Sequence, residues 1–229
     1  MGGCMSMMLR RRAMMTKKSK NVECPYITSG LIFWLDGIEK GGAAGKWTDL
    51  IGGVKFTPTS AEAVVENQDN FYFTVASSLY PKGFDSNAIV SSTLDTTVEV
   101  CYIPENATHC LFIHQNDSPN FLFYKSNNNI TFIQREKTYT YVMTLGNPYT
   151  ISLNLSSGLV NGSSISPNAG TDFWNNSGIF YIGSRNSSGQ NPFKGTLYSI
   201  RIYNRRLTSL EMLANQQVDN NRFNLGLNL

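Results

Sequence analysis

Gly195-Thr196-Leu197-Tyr198-Ser199-Ile200-Arg201-Ile202-Tyr203-Asn204-Arg205-Arg206-Leu207-Thr208 is the stretch on which the reading of this chain turns. Its first nine residues, Gly195–Tyr203, are rich in β-branched and aromatic types and read as one long strand. Ser209-Leu210-Glu211-Met212-Leu213-Ala214-Asn215 follows with a helical pattern. Thr208 stands where an N-cap belongs, and Glu211 lies three residues on, the spacing of a capping box. Leu210, Leu213 and Ala214 are expected to form one apolar stripe against the rest of the fold. Upstream, Ile179-Phe180-Tyr181-Ile182-Gly183 reads as a strand ending on glycine. A polar loop separates it from the turn Asn191-Pro192-Phe193-Lys194-Gly195.

Working outward, Leu31–Gly37 reads as a buried strand leaving into a turn, and further strands are expected at Phe71–Val75, Thr96–Tyr102, Cys110–His114, Phe121–Tyr124, Ile130–Gln134, Tyr139–Thr144 and Tyr149–Leu155. Turn signals separate them, among them Ser118-Pro119-Asn120, Gly146-Asn147-Pro148 and Asn161-Gly162. No helix-period segment precedes Leu207. Many short strands and one terminal helix imply an all-β, two-sheet antiparallel sandwich. The length, 229 residues, suits one such domain. Charged residues are 15% of the chain, so amides and hydroxyls carry its solubility, as suits an exposed surface protein.

These segments together resemble a laminin-G-like, concanavalin A-like jelly-roll domain. In that family a strand ends in Ile-Gly, a Phe-x-Gly turn follows, and the last strand reads Arg-Ile-Tyr-Asn-Arg-x-Leu-Thr before an x-x-Glu-Met helix. The opening Gly30-Leu31-Ile32-Phe33-Trp34-Leu35-Asp36-Gly37, with Trp47-Thr48-Asp49-Leu50-Ile51-Gly52-Gly53, is similar to the start of such domains. There the Trp and the Asp-Leu pair pack a long connection against the first strand, which makes Trp47 structural. The hairpin before Asn161-Gly162 is shorter than the family's. The resemblance covers roughly residues 29–218.

On this reading residues 1–25 are a basic, Met-rich leader, 26–218 the domain and 219–229 a C-terminal tail. Residues 1–20 hold Arg10, Arg11, Arg12, Lys17, Lys18 and Lys20 and no acid, a charge of +6. The whole chain is +3, so the remainder is −3, and the body offers no basic face for specific nucleic-acid binding. The leader reads either as a solvated segment or as an arm docking through Arg10, Arg11, Arg12, Lys17 and Lys18 on an anionic partner. Its apolar pieces are split by arginines and do not make a secretory signal, and no stretch approaches a membrane span. The tail alternates Phe223, Leu225, Leu227 and Leu229, which fits an added edge strand or a frayed end. Cys101 and Cys110 are placed to face each other across a hairpin, and the expectation is free thiols.

The jelly roll hosts both lectins and glucan hydrolases. Hydrolases need paired carboxylates on one face, and the Glu-x-Asp-x-(x)-Glu strand is missing. Glu62 with Glu66, and Asp95 with Glu99, read as surface charge. His109 and His114 read as satisfied hairpin histidines, since a zinc site needs further ligands. Enzymatic function is therefore not expected. Sugar recognition needs an aromatic platform beside amide or carboxylate groups. Asp172, Trp174 and Asn175 in one loop, and Arg185 and Asn186 in another, have that chemistry. Family resemblance allows a calcium ion near Asp172 or Asp117; no cofactor is otherwise indicated. The expectation is a non-enzymatic, surface-displayed module that binds host-surface or mucus glycans. In style it is similar to a phage virion protein (a head fibre, decoration protein or tail adhesin), displayed on the virion and docked on other virion proteins through the leader. A homo-oligomer, as the trimer of fibres, would follow. The alternative is an extracellular or cell-surface bacterial carbohydrate-binding module.

Overall fold

The computed structural model describes residues 24–41, 47–58, 63–74, 84–86, 96–116, 118–126, 129–134, 139–168, 179–184 and 191–229. The strands are β1 (Leu31–Asp36), β2 (Trp47–Thr48), β3 (Lys55–Pro58), β4 (Val64–Glu66), β5 (Phe71–Phe73), β6 (Phe84–Ser86), β7 (Thr97–Pro104), β8 (His109–Asn116), β9 (Ser118–Ser126) and β10 (Asn129–Gln134). They continue with β11 (Tyr149–Asn154), β12 (Gly158–Val160), β13 (Ser163–Ile165), β14 (Ile179–Ile182) and β15 (Gly195–Tyr203), and helix α1 (Ser209–Arg222) closes the order.

The pairings are antiparallel and form two sheets. One runs β13-β12-β11-β7-β15-β5-β4, with β1 also on β15; the other runs β10-β9-β8-β14-β6-β3-β2. The expected two-sheet sandwich with a short C-terminal helix is therefore the observed fold. β15 is long enough to carry two partners along one edge, β5 at Gly195–Leu197 and β1 at Ser199–Tyr203. A register shift at Tyr198 separates them, and β7 lines the other edge. Gly195 has φ of 140°, and a Cβ there would run into the carbonyl oxygen of Ile103, so only glycine lets β15 start this close to β7. The core between the sheets takes alternate residues of each strand. Val98, Val100 and Tyr102 come from β7, Ile200 and Ile202 from β15, Ile151 and Leu153 from β11, and Phe56, Leu111, Phe123 and Ile182 from the other sheet.

The residues between those, on the outer face of the first sheet, are polar and yet buried: Glu99, Ser152, Asn154, Ser199 and Arg201. They form the floor for α1. Arg201 donates two parallel bonds to Asp219 (Nη1 to Oδ1 and Nη2 to Oδ2, both 2.7 Å) and one from Nε to Glu99 Oε2 at 2.9 Å. Asn215 Nδ2 donates to Glu99 and to the Tyr203 hydroxyl, and Gln216 Nε2 to Ser152 Oγ and the Leu159 carbonyl. Tyr26 lies 3.9 Å from the guanidinium carbon of Arg201, and its hydroxyl donates to Asp219. The amide of Ile27 donates to Asn215 Oδ1, so residues 26–27 tie α1 down to the sheet.

Four expectations are corrected here. The helix buries Met212, Asn215, Gln216 and Asp219, while Leu210 is 80% exposed and Ala214 is exposed. Its polar face turns inward because the sheet beneath it is polar; of the expected stripe only Leu213 packs inward, against the apolar cluster that holds Leu159, Tyr203, Leu207 and Met212. Glu99 is a fully buried ion-pair partner of Arg201, not surface charge; burial pushes its carboxyl above the ordinary value. Cys101 and Cys110 are free, as expected, but they stand on β7 and β8, which belong to different sheets, so no hairpin brings them together. Tyr139–Thr144 is not a strand: Tyr139 donates to the carbonyls of Asn154 and Ser157, and the Tyr149 hydroxyl accepts from the Thr144 amide.

Other readings hold. Thr208 and Glu211 form the capping box. Asn161 (φ 47°) and Gly162 (φ 75°) make the tight turn between β12 and β13, both in the left-handed region. Trp47 is fully buried and donates to the Asp36 carbonyl. Asp49 accepts from the amides of Trp34, Ile51 and Gly52. The helix continues to Arg222, past residue 218. The tail forms no strand; Asn220 ties it down through both the amide and the carbonyl of Leu227.

Asp219→Ala would leave the Arg201 guanidinium buried without its bidentate partner and should cost about 3–5 kcal/mol. Leu210→Ala should stay within about 0.5 kcal/mol. Urea unfolding of the two variants checks this ranking, the reverse of what an apolar inward stripe would give. A second expectation concerns pH. The Arg205 guanidinium, together with Thr208, holds the Glu211 carboxyl down at about 2. A lowered carboxyl contributes stability that is present above its ordinary value and lost as pH falls through its folded value. Glu211→Gln should therefore flatten the loss of melting temperature between about pH 4.5 and pH 2.

Candidate ligand-binding rims

The residues singled out for recognition, Asp172, Trp174, Asn175, Arg185 and Asn186, lie outside the described residues. So do Asp117 and the leader residues Arg10, Arg11, Arg12, Lys17 and Lys18. What the structure fixes is where their flanking segments emerge. The segment with Asp172, Trp174 and Asn175 leads into β14, and the segment with Arg185 and Asn186 leaves it after Ser184. β14 is the middle strand of its sheet, between β8 and β6.

The register assigns the two segments to opposite ends of the sandwich. Ile179 pairs with Gln115, so β14 starts at the end where β8 finishes and β9 begins. Ile182 pairs with Phe112, and the Gly183 amide donates to the Leu111 carbonyl, so β14 finishes at the end where β8 begins. The stems are about 10 Å apart along the strand. The two segments therefore attach at opposite ends of β14.

The second rim has a built floor. Asn106 Nδ2 donates to the carbonyls of Thr108 and Pro192, at 3.0 and 2.8 Å, and its Oδ1 accepts from the Lys194 amide at 3.0 Å. The Cys110 amide donates to the Asn191 carbonyl and the Phe193 amide to that of Gly183. Asn191 has φ of 48°, a left-handed turn that amide side chains tolerate. His109 is fully buried below, with Nδ1 3.0 Å from the Asn106 carbonyl and its ring against Phe193, a structural position as expected.

Beside this floor is a polar group that sequence reasoning missed. The Tyr72 hydroxyl donates to Glu105 Oε2 at 2.9 Å, and Lys194 Nζ lies 3.5 Å from the same oxygen. Burial and the neighbouring carboxylate push the Tyr72 phenol up, so it stays a donor. Lys194 and Glu105 remain accessible. Nothing in the spacing of 72, 105 and 194 foretells this; the pairing of β5 with β15 creates it. Such a trio can accept and donate to ligand hydroxyls.

The buried carboxylates are occupied with structure. Asp49 accepts only backbone amides; Glu99 serves Arg201, Ser152 and Asn215; Asp219 serves Arg201, Tyr26 and Ser199; Asp36 accepts the Ile38 and Glu39 amides and pairs with Arg222. Among the described residues no three His, Cys, Asp or Glu side chains are grouped to hold a metal. No described helix is long and apolar enough to cross a membrane.

No protein-family model matches this chain, and no curated protein matches it. Solved structures do. The sialidase of Trypanosoma rangeli, in complex with sialic acid, superimposes with a TM-score of 0.58 at 15% identity, over 83% of this chain and 33% of that one. The receptor-binding domain of botulinum neurotoxin type G gives 0.63 at 12% identity, over 83% and 51%. The binding domain of paraclostridial mosquitocidal protein 1 gives 0.57 at 16% identity, over 85% and 53%. This chain thus spans a third to about half the length of those chains. At such identities the likeness is one of fold, a β-sandwich shared with binding domains.

Asn106→Ala removes three hydrogen bonds from the floor of the second rim. It should cost about 1–3 kcal/mol and speed exchange of the Lys194 amide hydrogen, with β11 unaffected. Amide exchange read by NMR checks both sites.

Proposed function

We propose that this protein is a non-enzymatic, surface-displayed binding module of laminin-G-like type, which takes glycans at the rim carrying Asp172, Trp174 and Asn175. The observation that carries this reading is the commitment of the buried carboxylates, Asp36, Asp49, Glu99 and Asp219, to structural partners, which leaves the chemistry of recognition to the loops. Trp174 supplies an aromatic face for a pyranose ring, and Asp172 and Asn175 the hydrogen bonds beside it. Calcium, where bound, would be held through Asp172 or Asp117. The likeness in fold to a toxin receptor-binding domain, a mosquitocidal-protein binding domain and a sialidase solved with sialic acid supports a glycan-binding role.

The display context also has physical support. Tyr26 and Ile27 bind Asp219 and Asn215 of α1, on the outer side of the first sheet. The recognition loops flank β14 in the second sheet. The leader therefore joins the domain on the layer opposite the sheet that carries the loops. That arrangement leaves the second sheet free of the leader, as suits a domain held by a basic arm on a larger assembly, such as a virion.

The test is binding to a glycan panel with and without a calcium chelator. Saturable binding is expected, lost in Trp174→Ala and retained in Arg185→Ala, because the two stems stand at opposite ends of β14. Loss on chelation places calcium at the same rim. Silence across the panel from a folded protein overturns the glycan reading, and loss in Arg185→Ala alone moves the site to the other rim.

A further inference from the structure

Sheet edges expose unpaired N–H and C=O groups, and proteins blunt them by shortness, charge, proline or bulges. Among the described residues the edges of this sandwich are mostly protected. β2 spans two residues, and β4 and β13 three each. β1 is covered by Asp49 and Leu50, which bond to both backbone groups of Trp34. β10 is different. It ends the second sheet with β9 on one side and no described strand on the other, and it spans six residues. Asn129-Ile130-Thr131-Phe132-Ile133-Gln134 holds no charge and no proline, and it pairs with β9 without a register shift, whereas the β8–β9 pair has two.

We propose that β10 pairs antiparallel with β10 of a second copy of this chain, joining two seven-stranded sheets into one continuous sheet. Antiparallel strands related by a twofold axis keep their inner and outer faces continuous only when the axis stands perpendicular to the sheet. Residues of the same parity then oppose one another. With the axis at Phe132, that residue meets Phe132 of the second copy, Thr131 meets Ile133, and Ile130 meets Gln134. Aromatic thus opposes aromatic, and β-branched opposes β-branched, the pairs that favour association across strands. A neutral strand also meets its copy without opposing like charges. A fibre-like trimer cannot be built this way, because a twofold contact closes at two copies. The pairing does not depend on what the loops bind.

Sedimentation equilibrium of the full chain over a dilution series tests this. The expected species has about twice the 25.5 kDa chain mass. Thr131→Lys with Ile133→Lys sets lysines against each other across the axis and should give a monomer whose circular dichroism is unchanged. Thr131→Lys with Ile133→Glu sets opposite charges there and should restore the dimer. A wild-type monomer or trimer, or a folded lysine pair that still dimerises, overturns the proposal. If the lysine pair fails to fold, exchange protection of the β10 amides in the wild type decides: a rise with protein concentration supports the pairing, and independence of concentration overturns it.

Discussion

Arg201 holds its charge inside the protein, and much of the architecture follows from that. Burial works against a guanidinium, and Asp219 and Glu99 outweigh it, keeping Arg201 well above even its ordinary value. One positive and two negative charges are thus enclosed between the first sheet and α1. The surplus is met by donors: Ser152 and Asn215 to Glu99, and Tyr26 and Ser199 to Asp219. Buried ion pairs add little net stability compared with apolar packing, yet losing one partner is costly, so such a cluster fixes geometry. It admits one rotation of α1 and one path for residues 24–29. The protein is therefore three layers, two sheets and a lid of helix and strap.

Much of the fold could be read in the sequence where local chemistry is self-sufficient. The β-branched strands from Leu31 to Tyr203, the Asn161-Gly162 turn and the Thr208–Glu211 capping box each announce themselves within a few residues. The rotation of α1 could not, because amphipathic reasoning assumes an apolar partner. Leu210, Leu213 and Ala214 form a stripe, but the floor offered to the helix is Glu99, Ser152 and Arg201, and polar groups must pair when buried. Very short strands such as β2, β4 and β6 also leave no periodic signal; they exist because longer neighbours recruit them. Tyr139–Thr144 looks extended in composition, yet its tyrosine side chain serves turn carbonyls instead of a ladder.

The candidate recognition residues are read from chemistry alone, because Asp172, Trp174, Asn175, Arg185 and Asn186 lie outside the described residues. Aromatic, amide and guanidinium residues next to β14 in the sequence stand out in a chain with few charges, but only the register shows which end of β8 each end of β14 adjoins. The Tyr72, Glu105 and Lys194 trio needed the tertiary pairing of β5, β7 and β15. The motif most easily read, Arg-Ile-Tyr-Asn-Arg-x-Leu-Thr, turns out to be structural at each charged position: Arg201 in the buried cluster, Arg205 on Ser29 and Glu211.

Native-state hydrogen exchange of α1 tests this picture most directly. If the buried cluster makes the helix an integral layer, the amides of Met212 to Asp219 should exchange only on global unfolding, with the same free energy as those of β7 and β15. Exchange of those helix amides through local fraying, orders of magnitude faster than β7, would contradict it.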